Sequence, residues 1–160
     1  MTASRVAYVD TYVLRRARGL EILVLRRGTG GRCPGSWETV HGTIEAGETP
    51  VEASLRELRE ETGFAAERLY NVSRVESFYQ HRTDEIVLVP VFAAVVAASE
   101  EPRVSREHDR AEWLAPADAA ARFSWPRERR AVADLVVLFG SPQGGAVGAG
   151  GSLEDVLRVC

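Results

Sequence analysis

The stretch that decides the fold is Gly42-Thr43-Ile44-Glu45-Ala46-Gly47-Glu48-Thr49-Pro50-Val51-Glu52-Ala53-Ser54-Leu55-Arg56-Glu57-Leu58-Arg59-Glu60-Glu61-Thr62-Gly63-Phe64. Its second part predicts a helix over residues 50–62. Thr49 is placed to cap the first turn, Pro50 occupies the first helical position, and Glu52 stands where a capping box needs an acid. Gly63 stands where a left-handed cap would end the helix. Val51, Leu55 and Leu58, with Ala53 and Thr62 nearby, give the apolar spacing. Glu57, Glu60 and Glu61 fall three and four positions apart, so they can share one helix face. Like charges at that spacing repel, and Arg56 and Arg59 offset only part of the cost. A divalent cation among the carboxylates would remove the rest, and hard oxygen donors at this density suit Mg²⁺ or Mn²⁺ rather than zinc. An RELREE run alone is usually a solvated, salt-bridged face. The residues upstream of it decide between the two.

Outward from this helix, the chain reads as strands. Arg5–Leu14 and Glu21–Arg26 form a predicted hairpin around a polar turn at 15–19. Gly28–Gly35, with four glycines and one proline, is a loop. Trp37–Val40 is short and extended, and His41–Thr49 is a glycine-interrupted loop. Leu69–Tyr79 and Ile86–Ala98 are further strands, the second so apolar that both its faces should be buried. Pro90 inside it predicts a bulge or a local edge. Glu112–Leu114 is a short strand, and Pro116–Phe123 and Pro126–Phe139 are proline-opened helices. Strands with helices interspersed irregularly indicate an α/β layered sandwich and argue against a doubly wound nucleotide-binding sheet. Residues 1–139 are expected to form one domain. Residues 140–160 read as a glycine-rich linker and a short tail, with a helical turn or two over Ser152–Val159.

The charge balance narrows the partners. Twenty basic against 23 acidic residues leave a net charge of −3, which does not suit a protein that neutralises many phosphates of long nucleic acid. A small anionic ligand stays open, because a bound metal can supply positive charge locally. All 20 basic residues are arginine, so any phosphate clamp is a guanidinium, a metal or backbone N–H groups. Cys33 and Cys160 make neither a disulfide framework nor a metal-ligand spacing. No apolar run reaches membrane-spanning length, and Met1–Arg5 leads into a strand rather than a signal peptide, so the expected setting is cytoplasmic and the expected state a monomer or homodimer.

Gly42, five residues, Glu48, seven residues, then Arg56-Glu57-Leu58-x-Glu60-Glu61-x-Gly63-Phe64 match every fixed position of one signature. By it the chain resembles the Nudix hydrolase superfamily. The resemblance implies the Nudix fold, an α/β/α sandwich with a mixed sheet over about residues 4–139, and a loop–helix–loop metal site. It implies Glu57, Glu60 and Glu61 as magnesium ligands, with manganese as a substitute, and Glu57 also as a candidate general base. Arg56 would orient Glu57 through a charge-assisted hydrogen bond. Gly42 would offer its carbonyl to the metal, its missing side chain letting the ion come close. Glu48 would brace the loop against the helix or assist a metal-bound water. The implied reaction is attack by water on phosphorus in a nucleoside diphosphate linked to another group.

Two further stretches bear on substrate. Trp37-Glu38-Thr39-Val40-His41-Gly42 leads into the signature where many members carry Pro-Gly-Gly. It is similar to the bacterial dATP and dihydroneopterin triphosphate pyrophosphatase branch. Glu107-His108, followed by Trp113-Leu114, is similar to the same branch, which implies Glu107 as an extra metal ligand or the proton acceptor. His108 is read as structural or solvent-exposed. Trp37, Phe78, Tyr79 and Trp125 are candidates to stack on a base or pterin, with Trp37 and Tyr79 ahead because they adjoin the motif loop and a strand end. Arg26 and Arg27 are candidate phosphate grips or solvated strand-end residues, and His81 and Arg82 likewise. The expected substrate is a nucleoside or pterin triphosphate, cleaved with release of pyrophosphate. The alternatives are a dinucleoside polyphosphate or ADP-ribose-type nucleotide sugar, and a nucleotide-sensing domain that does not cut.

Overall fold

The computed structural model describes residues 1–141 and 157–160. Its elements in chain order are β1 (Ala3–Val6), β2 (Tyr8–Arg16), β3 (Leu20–Arg27), β4 (Trp37–Glu38), β5 (Val40–Thr43), α1 (Pro50–Thr62), β6 (Arg68–Gln80), β7 (Glu85–Val95), β8 (His108–Leu114), α2 (Pro116–Arg122) and α3 (Pro126–Phe139). All strands join one mixed sheet of eight. Among the described residues no helix is long and apolar enough to cross a membrane.

Strand β7 is the spine. It pairs antiparallel with β6 on one edge and parallel with β1 and then β2 on the other. The expected single strand over Arg5–Leu14 is therefore divided at Ala7. The register changes from Val6↔Leu88 to Asp10↔Val91, an extra residue on the β1–β2 side. On the other edge the ladder shifts between Asn71 and Val75, opposite Phe92 and Pro90, with Ser73 in the left-handed region at φ 55°. Both irregularities flank Pro90, which has no N–H for either neighbour. The bulge expected at Pro90 thus lies on the strands beside it.

Alternation along the strands builds two cores, one on each face of the sheet. Tyr12, Leu14, Ile22 and Val24 pack with Phe123, Leu135 and Phe139 beneath α2 and α3. Val9, Val13, Leu23 and Leu25 pack with Ala53, Leu58 and Phe64 beneath α1. Fully burying a side chain of this kind stabilises the fold by roughly 1.5–3 kcal/mol.

The helix α1 follows its sequence punctuation. Thr49 accepts from the Glu52 N–H, the Glu52 carboxylate accepts from the Thr49 N–H, and Gly63 adopts φ 76°. The two flanks of the site were read differently. His41–Thr43, expected in a loop, belongs to β5, and the short strand at 112–114 extends back to His108. Residues 152–156 of the expected C-terminal helix lie outside the described residues. Leu157–Cys160 instead return to β6. Asn71 N–H donates to Leu157, Leu69 N–H to Cys160 and Val159 N–H to Leu69, and Leu157 is buried in the α2–α3 core.

Candidate active site

The site grows from a splay in the sheet. Strands β2 and β3 pair with each other only from Leu14/Ile22 to Arg16/Leu20. Beyond that they part, β2 taking β5 as its partner and β3 taking β4. The chain between β4 and β5 crosses the gap at Thr39. Thr39 Oγ1 donates to the Thr11 carbonyl, and its N–H donates to Glu128 Oε1 at 2.8 Å. Two adjoining cavities open here. One, about 160 Å³, is lined by Tyr8, Gly42, Glu57 and Glu107. The other, about 240 Å³, is lined by Phe78, Val89, Trp125 and Arg127. Arg27, Arg32 and His41 border both.

Helix α1 carries the carboxylates. Its buried stripe includes Ser54, Leu58, Glu61 and Thr62, so Glu61 occupies a core position. Burying an acid there is costly without compensation. Burial pushes the Glu61 carboxyl well above the ordinary range, and the charges of Glu57, Glu38 and Glu107 push further. Glu61 Oε2 has no hydrogen-bond partner among the described residues, and neither has His108 Nδ1, which lies 3.8 Å from it. Glu57 stands against Gly42. A Cβ on Gly42 would lie 1.9 Å from Glu57 Cδ, so only glycine leaves room for the carboxylate. Burial also raises the Glu57 pKa. Arg56 opposes that shift, and the charges of Glu60 and Glu107 add to it.

Arg56 organises the outer side. It grips both oxygens of Glu48 at 2.9 Å, donates to Glu57 Oε1 at 2.7 Å and reaches the Thr43 carbonyl at 2.8 Å. Glu48 Oε2 also accepts from the Glu45 N–H, so Glu48 ties the loop to the helix. Glu60 is 59% exposed and takes a 3.3 Å bond from Arg56, outside the carboxylate cavity. Among the described residues no three acids converge as a finished metal cage. The donor set nonetheless fits a divalent cation. It offers Glu57 beside a close-approach glycine, the unpartnered buried oxygen of Glu61, and Glu107, which lines the same cavity as Glu57 and whose charge adds to the raised proton affinity of Glu57 and Glu61.

Arg27 links Glu107 to the buried interior. It donates to Glu107 at 3.3 Å and to Glu38 at 2.8 Å. His108 is buried and meets Glu38 through Nε2 at 3.2 Å. Burial works to raise the Glu38 pKa, but His108 and Arg27 outweigh it and hold the carboxylate ionised below its usual value. Arg26 faces away. It pairs with Asp109 at 2.7 Å and lies over the Trp37 ring, whose centroid is also 4.7 Å from the Arg122 guanidinium. Trp37 packs against the α2–α3 core, and Tyr79, 55% exposed, bonds Asp84, so neither borders the two cavities. The aromatic walls are Phe78 and Trp125. His81 and Arg82 occupy the exposed β6–β7 turn.

Four residues at the site were not singled out from sequence: Arg32, His41, Asp10 and Arg127. Asp10 is fully buried, bonded by His41 Nδ1 at 2.6 Å and Arg127 Nε at 3.0 Å. An acid at the centre of the apolar run Tyr8–Val13 was the available signal.

A family model described as NUDIX domain matches residues 5–135. An octanoyltransferase from Myxococcus xanthus is 33% identical over 127 residues, 73% of this chain and 33% of that protein. The bis(5'-nucleosyl)-tetraphosphatase [asymmetrical] of Mus musculus is 33% identical over 97 residues, 59% of this chain and 64% of that protein. The chain thus spans a third to just under two thirds of these relatives. The dihydroneopterin triphosphate pyrophosphohydrolase of E. coli superimposes with a TM-score of 0.70 at 21% identity, over 86% of this chain and 99% of that one.

Proposed function

Because the chain belongs to the Nudix family, we propose that it is a magnesium-dependent hydrolase of a nucleoside or pterin triphosphate, releasing pyrophosphate. One observation carries the reading. Glu57 and Glu107 line a cavity where Gly42 makes room for Glu57, burial and the charge of Glu107 push both Glu57 and the buried Glu61 toward the protonated form, and an aromatic cavity adjoins it. A divalent cation bound together with the substrate's phosphates would relieve that repulsion.

A divalent ion, when bound, neutralises phosphate oxygens and makes water more acidic. The chain's own residues do the rest. Arg56 holds Glu57 in one orientation, and the Glu57 carboxylate takes the proton as a water oxygen bonds to the α-phosphorus. The bond from that phosphorus to the bridging oxygen breaks, and pyrophosphate departs. Glu107, on the opposite side of the cavity, is the second candidate ligand or acceptor. Arg27 and Arg32 offer guanidinium groups to phosphate oxygens, while Phe78 and Trp125 offer faces to the ring. The cytoplasm, where such nucleotides are abundant, is the proposed setting.

The resemblance to the mouse tetraphosphatase favours a second reading, a dinucleoside polyphosphate as substrate. A panel of nucleoside triphosphates, diadenosine tetraphosphate and ADP-ribose, with product analysis, separates the two. Pyrophosphate from a triphosphate supports the first, and ATP from diadenosine tetraphosphate the second. Chelation of the metal should abolish activity, and Glu57→Gln should lower kcat by about 10²–10⁴. A wild type no more active than Glu57→Gln and Glu61→Gln across the panel points to a sensor and ends the hydrolase reading.

A further inference from the structure

A polar pair crosses the apolar core beneath α1. Ser54 on the helix and Thr11 on β2 are both fully buried, and their hydroxyl oxygens lie 2.7 Å apart. Around them pack Val9, Val13, Ala53 and Leu58. A serine inside a helix can satisfy its hydroxyl on the carbonyl four residues back. Thr62 does so, donating to the Leu58 carbonyl. Ser54 instead reaches across to the strand. Apolar burial holds a helix down without regard to direction, so it tolerates small rolls and slips. A hydrogen bond between two side chains has a narrow range of length and angle. The Ser54–Thr11 bond therefore ties α1 to β2 at one rotational setting.

Both ends of the tie lead to the carboxylates. Thr11 is the cross-strand partner of Val40, two positions from Val9, whose partner is Gly42. Its carbonyl also accepts from Thr39 Oγ1, which fixes the crossing that leads into β5. Ser54 precedes Glu57 by three positions and Glu61 by seven, so a roll at Ser54 carries both carboxylates with it. The tolerance for such a roll is small. Glu57 already fills the space a Cβ on Gly42 would take, at 1.9 Å from its Cδ, and Glu61 is enclosed in the core. We propose that Ser54 and Thr11 are positioning residues, whose hydroxyl pair sets the roll of α1 on β2 and so aims Glu57 and Glu61 at the metal position beside Gly42. The inference rests on the hydrolase reading and extends it to two residues outside the cavities.

The experiment measures the Kd of Mn²⁺ alone by electron paramagnetic resonance, kcat and KM at saturating metal for the fastest-cleaved member of the nucleotide panel, and melting curves. Thr11→Val keeps the shape of the strand residue and lets Ser54 turn to its own helix. The double variant Thr11→Val/Ser54→Ala leaves no hydroxyl unpaired and should melt close to the wild type, since replacing both partners by apolar groups is nearly neutral. It carries the test should a single variant fail to fold. Mn²⁺ binding and kcat should each weaken by about 10- to 100-fold, the usual loss when a group that orients a ligand is removed. KM should stay within about twofold, because Arg27, Phe78 and Trp125 belong to other elements. Thr11→Ser, which keeps the hydroxyl, should restore most of both. The double variant should be no worse than Thr11→Val, because the pair acts as a unit. A purely structural pair would change the melting temperature and leave Mn²⁺ affinity and kcat as they were. That result overturns the inference and leaves the hydrolase reading standing. A wild type that neither binds Mn²⁺ nor cleaves any member of the panel sinks both together.

Discussion

Arg26 and Arg27 are consecutive in β3 yet serve opposite faces of the sheet. Arg27 borders both cavities and bonds Glu38 and Glu107, whereas Arg26 pairs with Asp109 beside Trp37. Arg27→Ala should therefore raise KM for a triphosphate by about 10- to 100-fold, the value of a lost charge-assisted hydrogen bond. Arg26→Ala should stay within about twofold, since exposed ion pairs contribute little. Steady-state kinetics on the two variants, with melting curves to confirm folding, check the contrast. Equal effects would show that the sheet face does not decide the role.

Gly42→Ala should cripple the reaction through Glu57. The added methyl would meet the carboxylate at 1.9 Å, and the carboxylate must move. Displacing a reacting group by about an ångström costs on the order of 10² in rate. The measurement is kcat at saturating metal, with circular dichroism showing an intact fold. A variant as fast as the parent would free Glu57 from the part assigned to it.

Glu128 gives a pH signature in stability. Burial lifts its pKa from 4.5 to about 8, against the pull of the neighbouring Arg127. The folded protein keeps a proton that the unfolded chain has released. Stability relative to a neutral residue is therefore highest below the unfolded value, falls as pH rises from 4.5, and levels off above about 8. The slope in between is about 1.4 kcal/mol per pH unit at most. Glu128→Gln can keep the bond from the Thr39 N–H, so it should match the parent near pH 4.5 and be the more stable near pH 8. Denaturant melts at the two pH values decide, and a pH-independent difference would place the Glu128 carboxyl in a different charge state.

What the sequence disclosed was local, and what it withheld was pairing. The bounds of α1 were legible because Thr49, Pro50, Glu52 and Gly63 act within the helix they delimit. The acidic stripe and its glycine were legible for the same reason, as spacing along one segment. The break at Ala7 was not, because its cause is Pro90, more than eighty residues away in sequence and adjacent only in the sheet. His41–Thr43 looked like a loop because its strand character comes from β2 rather than from its own residues. The four aromatic candidates included both cleft walls, but Trp37 and Tyr79 were ranked ahead of Phe78 and Trp125 for a similar reason. Whether Trp37 or Trp125, Phe78 or Tyr79 borders a cavity depends on where β2 and β3 part and on strand parity. Asp10 and Arg127 lie far apart in the chain, and only the fold brings them to His41.

The paired irregularities around Pro90 set a boundary inside the sheet. Phe78 belongs to the arm beyond it, where β1 and β6 flank the outer half of β7, while the carboxylates belong to the body on the other side. One wall of the cleft is thus carried on a separately laddered extension. Changes in that arm can retune the choice of ring without disturbing the reacting groups, which makes it the natural graft point for redesigning selectivity.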